Sequence, residues 1–555
     1  MTSQGSQTFL KRFRWVGLTS ASAVMLIGLA TAASQTRFYA DDPIEREPEP
    51  GDAARVQPFP IHLSWDILSS LFVKEGDPVT RPAQNINTID EVPDSSWFTN
   101  RAGSQTLTAA DVGRGPDTTS GPVGRWTVVS GKSEGVRPGF TIMDSDGVRW
   151  FLKFDAPGYP EQATGAEVVA TKLFWALGYD VAETHVATLW LENLVLSEKA
   201  SISVNGKKRR MTARDIRHVL AQSERSPDGS YRVLASKQLA GKSVDEFLYY
   251  GTRADDPNDV VPHENRRELR GMKVFAAWID RVDAKAGNTL DTLVIENGKT
   301  IVRHHPLDFG STLGSAGDNP NEYWEGYEFL YSGASFLKNF LGVGLPVEPW
   351  HTIRYPAFRG IGRFEGDRFD PEKWRSRVPN AAYVRADTAD TFWAARKVMA
   401  ITDDMIAAAV KNGQYSDPSA ENYLIETLIK RRNAIGRTYL VKINPIVNPT
   451  LDASGVLAFQ NAAVDANLVP ASGVSYQAAW YQFDNATGES VLIGNSVPFN
   501  TPGTQAPAML PTATGSFVRV DISTSSDGHP TWLDPVRVYF RRTTSAWKLV
   551  GLERK

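Results

Sequence analysis

Between Trp278 and Gly310 the chain gathers residues able to handle phosphate: Asp283-Ala-Lys285-Ala-Gly-Asn288 and, twenty residues after that asparagine, Asp308-Phe309-Gly310. The intervening Thr289-Leu-Asp-Thr-Leu-Val-Ile-Glu and Lys-Thr-Ile-Val-Arg-His-His are rich in β-formers and are separated by Asn297-Gly298, the strongest short hairpin signal. A hairpin there sets Asn288 at the start of one strand and Asp308 just past the end of the other, side by side. Two adjacent oxygen-bearing side chains can hold Mg²⁺ against a nucleotide's phosphates. A carboxylate five positions before the asparagine can orient an acceptor hydroxyl. Lys285 would stabilise developing negative charge. Turn-forming roles remain the plain alternative for these aspartates, and Asp280 or Asp291 could stand in for Asp283.

The order D-x-K-x-x-N, hairpin, D-F-G resembles the catalytic core of the protein-kinase-like superfamily. Asp283 follows Asp280-Arg281-Val282 rather than His-Arg, and no Ala-Pro-Glu follows Gly310. The similarity is therefore to atypical members, HipA-like, CotH-like or phosphoinositide-kinase-like proteins. It implies ATP or another nucleotide as phosphate donor, Mg²⁺ on Asn288 and Asp308, and Asp283 as the group that takes or orients the acceptor's proton. The acceptor, whether protein, lipid or sugar, is not carried over by the resemblance.

Such residues need a scaffold, and the upstream pattern predicts one. A strand through Val129, a glycine-containing loop from Gly131 to Gly139, a strand from Phe140 to Met143, the turn Asp144-Ser-Asp-Gly147 and a strand from Val148 to Phe154 precede a helical run from Pro160 to Tyr179. Lys153 lies on the third strand and Glu167 on the helix, the order of a kinase-like small lobe. An ion pair between them would align the lysine for phosphate, with Glu161 as second choice of partner. Gly131, Ser133 and Gly135 are candidates to approach phosphate through the loop, although the spacing departs from G-x-G-x-x-G. Residues 195–221 read as an inserted hairpin and a basic helix. Tyr231 to Phe247 reads as a strand, a connector and a helix start, where an interlobe hinge would bind the base through its backbone.

Downstream, helices are expected from Asp390 to Met399, Thr402 to Lys411 and Pro418 to Tyr439, with Thr402 as an N-cap. The stretch 314–379 has aromatics, Gly and Pro but no period, and belongs where activation and substrate-binding segments lie. From Asn444 the pattern turns to period-two alternation, as in Val474, Tyr476, Ala478, Trp480, which predicts an antiparallel sandwich-like module. His304 and His305 are adjacent on a strand, so they face opposite sides and read as packing residues. The fold class expected is α+β: a two-lobed kinase-like domain at 126–443, a β-sandwich-like domain at 444–555, and an extension at 56–125.

The chain has 555 residues and no cysteine, which excludes disulfides, thiolate metal sites and a cysteine nucleophile. Its net charge of −3, from 60 basic and 63 acidic residues, carries no footprint for nucleic acid. Lys11, Arg12 and Arg14 precede an apolar run from Val16 to Ala33 that ends Ala30-Thr-Ala32-Ala33. Residues 1–33 thus read as a signal peptide, with an uncleaved membrane anchor as the alternative, and no other segment is expected to span a membrane. The acidic, proline-rich residues 34–55 read as a solvated linker. The function expected is an exported, periplasmic or extracellular phosphotransferase acting on an unknown protein or cell-envelope hydroxyl. Because ATP is scarce outside the cytoplasm, the alternative is an inactive kinase-like binding protein of the envelope.

Overall fold

The computed structural model describes residues 36–73, 75–132, 139–204, 207–330 and 349–554. The architecture is mixed α+β. A seven-stranded sheet has the order β4-β7-β3-β2-β1-β5-β6, built from β1 (Trp126–Lys132), β2 (Gly139–Met143), β3 (Arg149–Phe154), β4 (Thr184–Leu189), β5 (Leu194–Val204), β6 (Lys207–Arg210) and β7 (Tyr231–Lys237). Only β1 and β5 run parallel within it; the other pairs are antiparallel.

Period two decides what β3 does. Trp150, Leu152 and Phe154 are buried in a core with Phe140, Ile142 and Val233, so Phe151 and Lys153 must emerge on the opposite face. The Asp144 carboxylate closes the preceding turn, accepting from the backbone N–H groups of Asp146 and Val148 and from the Trp150 indole at 2.9 Å. Helix α3 (Gln162–Leu177), which follows α1 (Leu63–Phe72) and α2 (Ala109–Arg114), is buried almost throughout. Its first N–H groups are not capped by the residue before it. Asp155, at the end of β3, accepts from Ala163 and Thr164 at 2.9 Å each and so ties strand to helix. The predicted insertion is present as β5, β6 and α4 (Ala213–Ala221), with its turn at 205–206 outside the described residues.

After β7 the expected helix start does not form. Lys242–Ser243 instead make a short strand, β8, that pairs antiparallel with Leu293 and Thr292, so the sheet rather than a helix satisfies its backbone groups. Helix α5 (Arg267–Ile279) runs through the largest core, with Phe275, Trp278 and Ile279 fully buried. Helices Thr388–Met399, Asp403–Lys411 and Pro418–Tyr439 share that core, and Thr402 caps the second of them through the Met405 N–H.

Beyond Asn444 two antiparallel sheets form, one of three strands in the order Ile446–Leu451, Val456–Asn461, Gly503–Gln505, and one of five in the order Ser490–Asn495, Val474–Phe483, Phe517–Ser526, Val536–Arg542, Trp547–Glu553. They enclose one core holding Ile446, Leu457 and Phe459 with Trp480, Val520 and Val538. Residues 36–55, expected as a solvated linker, instead lie along the protein. Phe38 inserts among Phe483, Phe517 and Tyr539, Glu47 pairs with Arg266 at 3.0 Å, and Ala53 N–H donates to Thr300 O. One buried aromatic and specific ion pairs outweigh a polar composition. Among the described residues no helix is long and apolar enough to cross a membrane. Residues 1–33, the expected signal, lie outside them.

Candidate functional site

The hairpin forms as the Asn-Gly signal predicts. β9 (Thr289–Glu296) pairs with β10 (Lys299–Pro306) in unbroken register, and Asn297 and Gly298 both take positive φ, +49° and +79°. The ladder extends one step past the strands, where Leu307 N–H donates to Asn288 O at 2.8 Å. That bond sets Asn288 beside the Asp308 turn, and Asp308 sits in the left-handed region at φ +54°, which aspartate tolerates. Arg281, buried, donates to Leu307 O at 2.8 Å and Asn288 O at 3.3 Å, with its guanidinium 4.8 Å from the Phe309 ring centre. It locks the two motifs to each other.

Three distant pieces of chain converge at Lys153. Its Nζ lies 2.8 and 3.0 Å from the two Glu167 oxygens and 3.0 Å from Asp308 Oδ1, partners 14 and 155 residues away. Glu161, the second-choice partner, points elsewhere and accepts from Ser416 N–H. Asp283 is held by neighbours: Lys285 Nζ reaches both its oxygens at 2.8 and 2.9 Å, and Asn288 Nδ2 donates to Oδ2 at 3.0 Å.

Two cavities flank this cluster. One, of about 420 Å³, has Phe151, Thr184, Leu239, Leu290 and Phe309 in its wall, and the other, of about 550 Å³, has Gly139, Asp283, Lys285, Asn288 and Arg377. Lys153 and Asp308 border both. The smaller cavity is largely apolar and bordered by the chain after β7, the stretch expected to serve as hinge. Thr184 in its wall carries a buried hydroxyl with no partner among the described residues. The pair of cavities thus sets a largely apolar pocket beside a charged one, with Lys153 and Asp308 on the border between them.

The substitutes for Asp283 are engaged otherwise. Asp280 is buried, accepting from the Trp374 indole at 2.9 Å and Asn321 at 3.2 Å, and burial pushes its pKa up against the nearby Arg431. Asp291 is sealed between Arg253 at 3.1 Å and His304 at 2.7 Å. His304 stacks on Trp97, and His305 bonds Thr292 and the Asp180 carbonyl, so both pack as expected. Gly131 is not at a loop: it lies within β1 opposite Phe140 and Ile202, and a Cβ there would meet Met211 at 2.9 Å. Ser133 and Gly135 lie outside the described residues. Gly139, which a Cβ would drive to 2.3 Å from Leu152 O, is the glycine that borders the larger cavity.

Sequence reading missed Arg377 and Glu325. Arg377 Nε bonds Glu325 at 2.6 Å while Nη1 sits 3.4 Å from Asp283. Burial works against its charge, yet the carboxylates of Asp283 and Glu325 together hold its pKa above the ordinary arginine value. Both lie in the aperiodic 314–379 stretch, so no local pattern could single them out.

No protein-family model matches the chain, and no curated protein matches it. Among solved structures, it is similar to the Helicobacter pylori proinflammatory kinase CtkA, at 12% identity and a TM-score of 0.30 over 57% of this chain and 95% of that one. It is also similar to the Golgi casein kinase, at 10% identity and a TM-score of 0.28 over 72% of this chain and 95% of that one. At such scores the likeness carries no argument, and the functional reading rests on the site.

Proposed function

We propose that this protein is an exported, atypical kinase-like phosphotransferase that moves the terminal phosphoryl group of a nucleotide, ATP by preference, to a hydroxyl acceptor. In this reading the seven-stranded sheet and α3 form the small lobe, the helices from α5 to Tyr439 form the large lobe, and residues 444–555 form a sandwich-like docking domain. The observation that carries it is the meeting of Lys153, Glu167 and Asp308 within 3.0 Å, beside the Asp283, Lys285, Asn288 cluster. Ion pairs made only for stability do not need two cavities at their border.

Each residue has a task. Glu167 orients Lys153 toward the donor's phosphates, and the apolar cavity receives the base. Asn288 gives its amide nitrogen to Asp283, which leaves its carbonyl oxygen, with the Asp308 carboxylate, as a hard-donor pair suited to Mg²⁺. Bound there, Mg²⁺ would offset phosphate charge. Asp283, with both oxygens already held by cation and amide, is placed to align the acceptor hydroxyl and to receive its proton. Lys285 stays near the oxygens that gain charge. Export is supported by the basic and apolar N-terminal residues 11–33.

The test is incubation of the purified chain with Mg·ATP labelled at the γ-phosphate, with Asp308→Ala as control. Expected are nucleotide binding and label transfer by the wild type and loss of transfer in the variant. Binding without transfer would support the inactive binding-protein alternative. No binding, or undiminished transfer by the variant, would end the enzyme reading.

A further inference from the structure

We infer that Arg377 is a third phosphate-directed cation of this site, beside Lys153 and Lys285, held in place by Glu325; the inference rests on the phosphotransferase reading above. Arg377 borders the larger cavity together with Lys153, Asp283, Lys285 and Asp308. Its position is pinned from both sides of the backbone, since its N–H donates to Val282 O and its carbonyl accepts from Leu330 N–H, each at 2.7 Å. One edge of its guanidinium is committed: Nε donates to the buried Glu325 at 2.6 Å. The other edge faces Asp283 at 3.4 Å, longer than a charge-assisted hydrogen bond of roughly 2.7 to 2.9 Å.

Asp283 does not require that contact, because Lys285 already reaches both of its oxygens and Asn288 bonds one of them. Arg377 therefore has a fixed fork with one edge loosely engaged at the cavity where the terminal phosphate would lie. A planar guanidinium matches phosphate oxygens two at a time, which a lysine cannot do. In the transfer step the acceptor oxygen bonds the γ-phosphorus and the bond from that phosphorus to the β–γ bridging oxygen breaks. The nucleoside diphosphate leaves with the electron pair, and the hydroxyl proton goes to Asp283 and then to solvent. With Nε kept on Glu325, Arg377 turns its Nη edge from Asp283 to the equatorial oxygens of the moving phosphoryl group.

The experiment uses the full chain and Mg·ATP, reading transfer to the protein itself or to water, with ADP affinity measured in parallel. Arg377→Ala is expected to lower kcat roughly 10²- to 10³-fold while ADP affinity stays within about threefold. Millimolar guanidinium should restore at least part of the rate. Glu325→Gln, which keeps the hydrogen bond but not the charge, should show a smaller loss of kcat at unchanged ADP affinity. A rate for Arg377→Ala within about threefold of wild type overturns the inference, as does joint loss of rate and ADP binding with no response to guanidinium. A wild type that neither binds nor transfers removes the phosphotransferase reading itself, and this inference with it.

Discussion

Two clusters of ion pairs in this molecule use the same residue types to opposite ends. Between the two cavities, Lys153 and Asp308 keep 28% and 48% of their side-chain surface. At the start of α5, Arg267 and Arg270 grip Asp390 at 3.1 and 3.2 Å, and none of the three keeps more than 3%. There each remaining guanidinium edge is taken by protein: Arg267 by the Asp90 carbonyl, Arg270 by Glu264 O, Arg81 O and Asn265. A sealed and saturated set joins the N-terminal extension to two helices. A half-open set, each member already oriented by a neighbour, is the one we propose receives a ligand. Burial and saturation, rather than charge, separate architecture from chemistry.

The sharpest way to break that distinction is at Asp283. Asp283→Asn should reduce phosphoryl transfer by about 10³-fold and leave the thermal midpoint essentially where it was, as read by a transfer assay beside a melting curve. Asp390→Ala should do the reverse. Stranding two buried arginines is expected to cost about 3 kcal/mol in denaturant unfolding, with nucleotide affinity of the folded protein unchanged. Equal effects of both variants on both readouts would erase the contrast.

The third expectation concerns pH. Burial drops the His305 pKa from the ordinary 6.5 to about 4, and the Asp180 carbonyl requires a proton on Nδ1, so the neutral ring accepts from Thr292 at Nε2. The unfolded chain then binds the proton more readily. Stability from this group is complete above about pH 6.5 and declines as pH falls toward 4, by on the order of 2 to 3 kcal/mol. His305→Gln should flatten that part of the stability profile. The smallest effect is reserved for an exposed pair outside both clusters: Lys430→Met, which breaks the 2.8 Å contact with Asp367, should alter stability by less than about 0.5 kcal/mol.

What could be read from the chain alone follows the range of the physics involved. The Asn297-Gly298 hairpin, the Asp144 turn and the Pro418–Tyr439 helix are local events, and all three are present where spacing put them. The Lys153 to Glu167 pair was legible because a strand and the next helix leave few arrangements. Asp308 joined them only through the hairpin ladder. Arg377 and Glu325 were invisible because their stretch has no period and their contact is purely tertiary. The helix expected after β7 lost to pairing of Lys242 and Ser243 with β9, a long-range bond that propensity cannot anticipate. The 34–55 stretch misled by composition, since the burial of Phe38 and the bonds from Arg541 to the Tyr39 and Ala40 carbonyls seat it against the C-terminal sheet.

The most direct measurement is a calorimetric titration of Mg·ATP into the wild-type chain and into Lys153→Met. If Lys153, Glu167 and Asp308 form a nucleotide phosphate site, the wild type binds one equivalent and the variant binds at least about tenfold more weakly, a loss of roughly 1.4 kcal/mol or more. A wild type that takes up no Mg·ATP, or a variant that binds it equally well, would contradict the assignment.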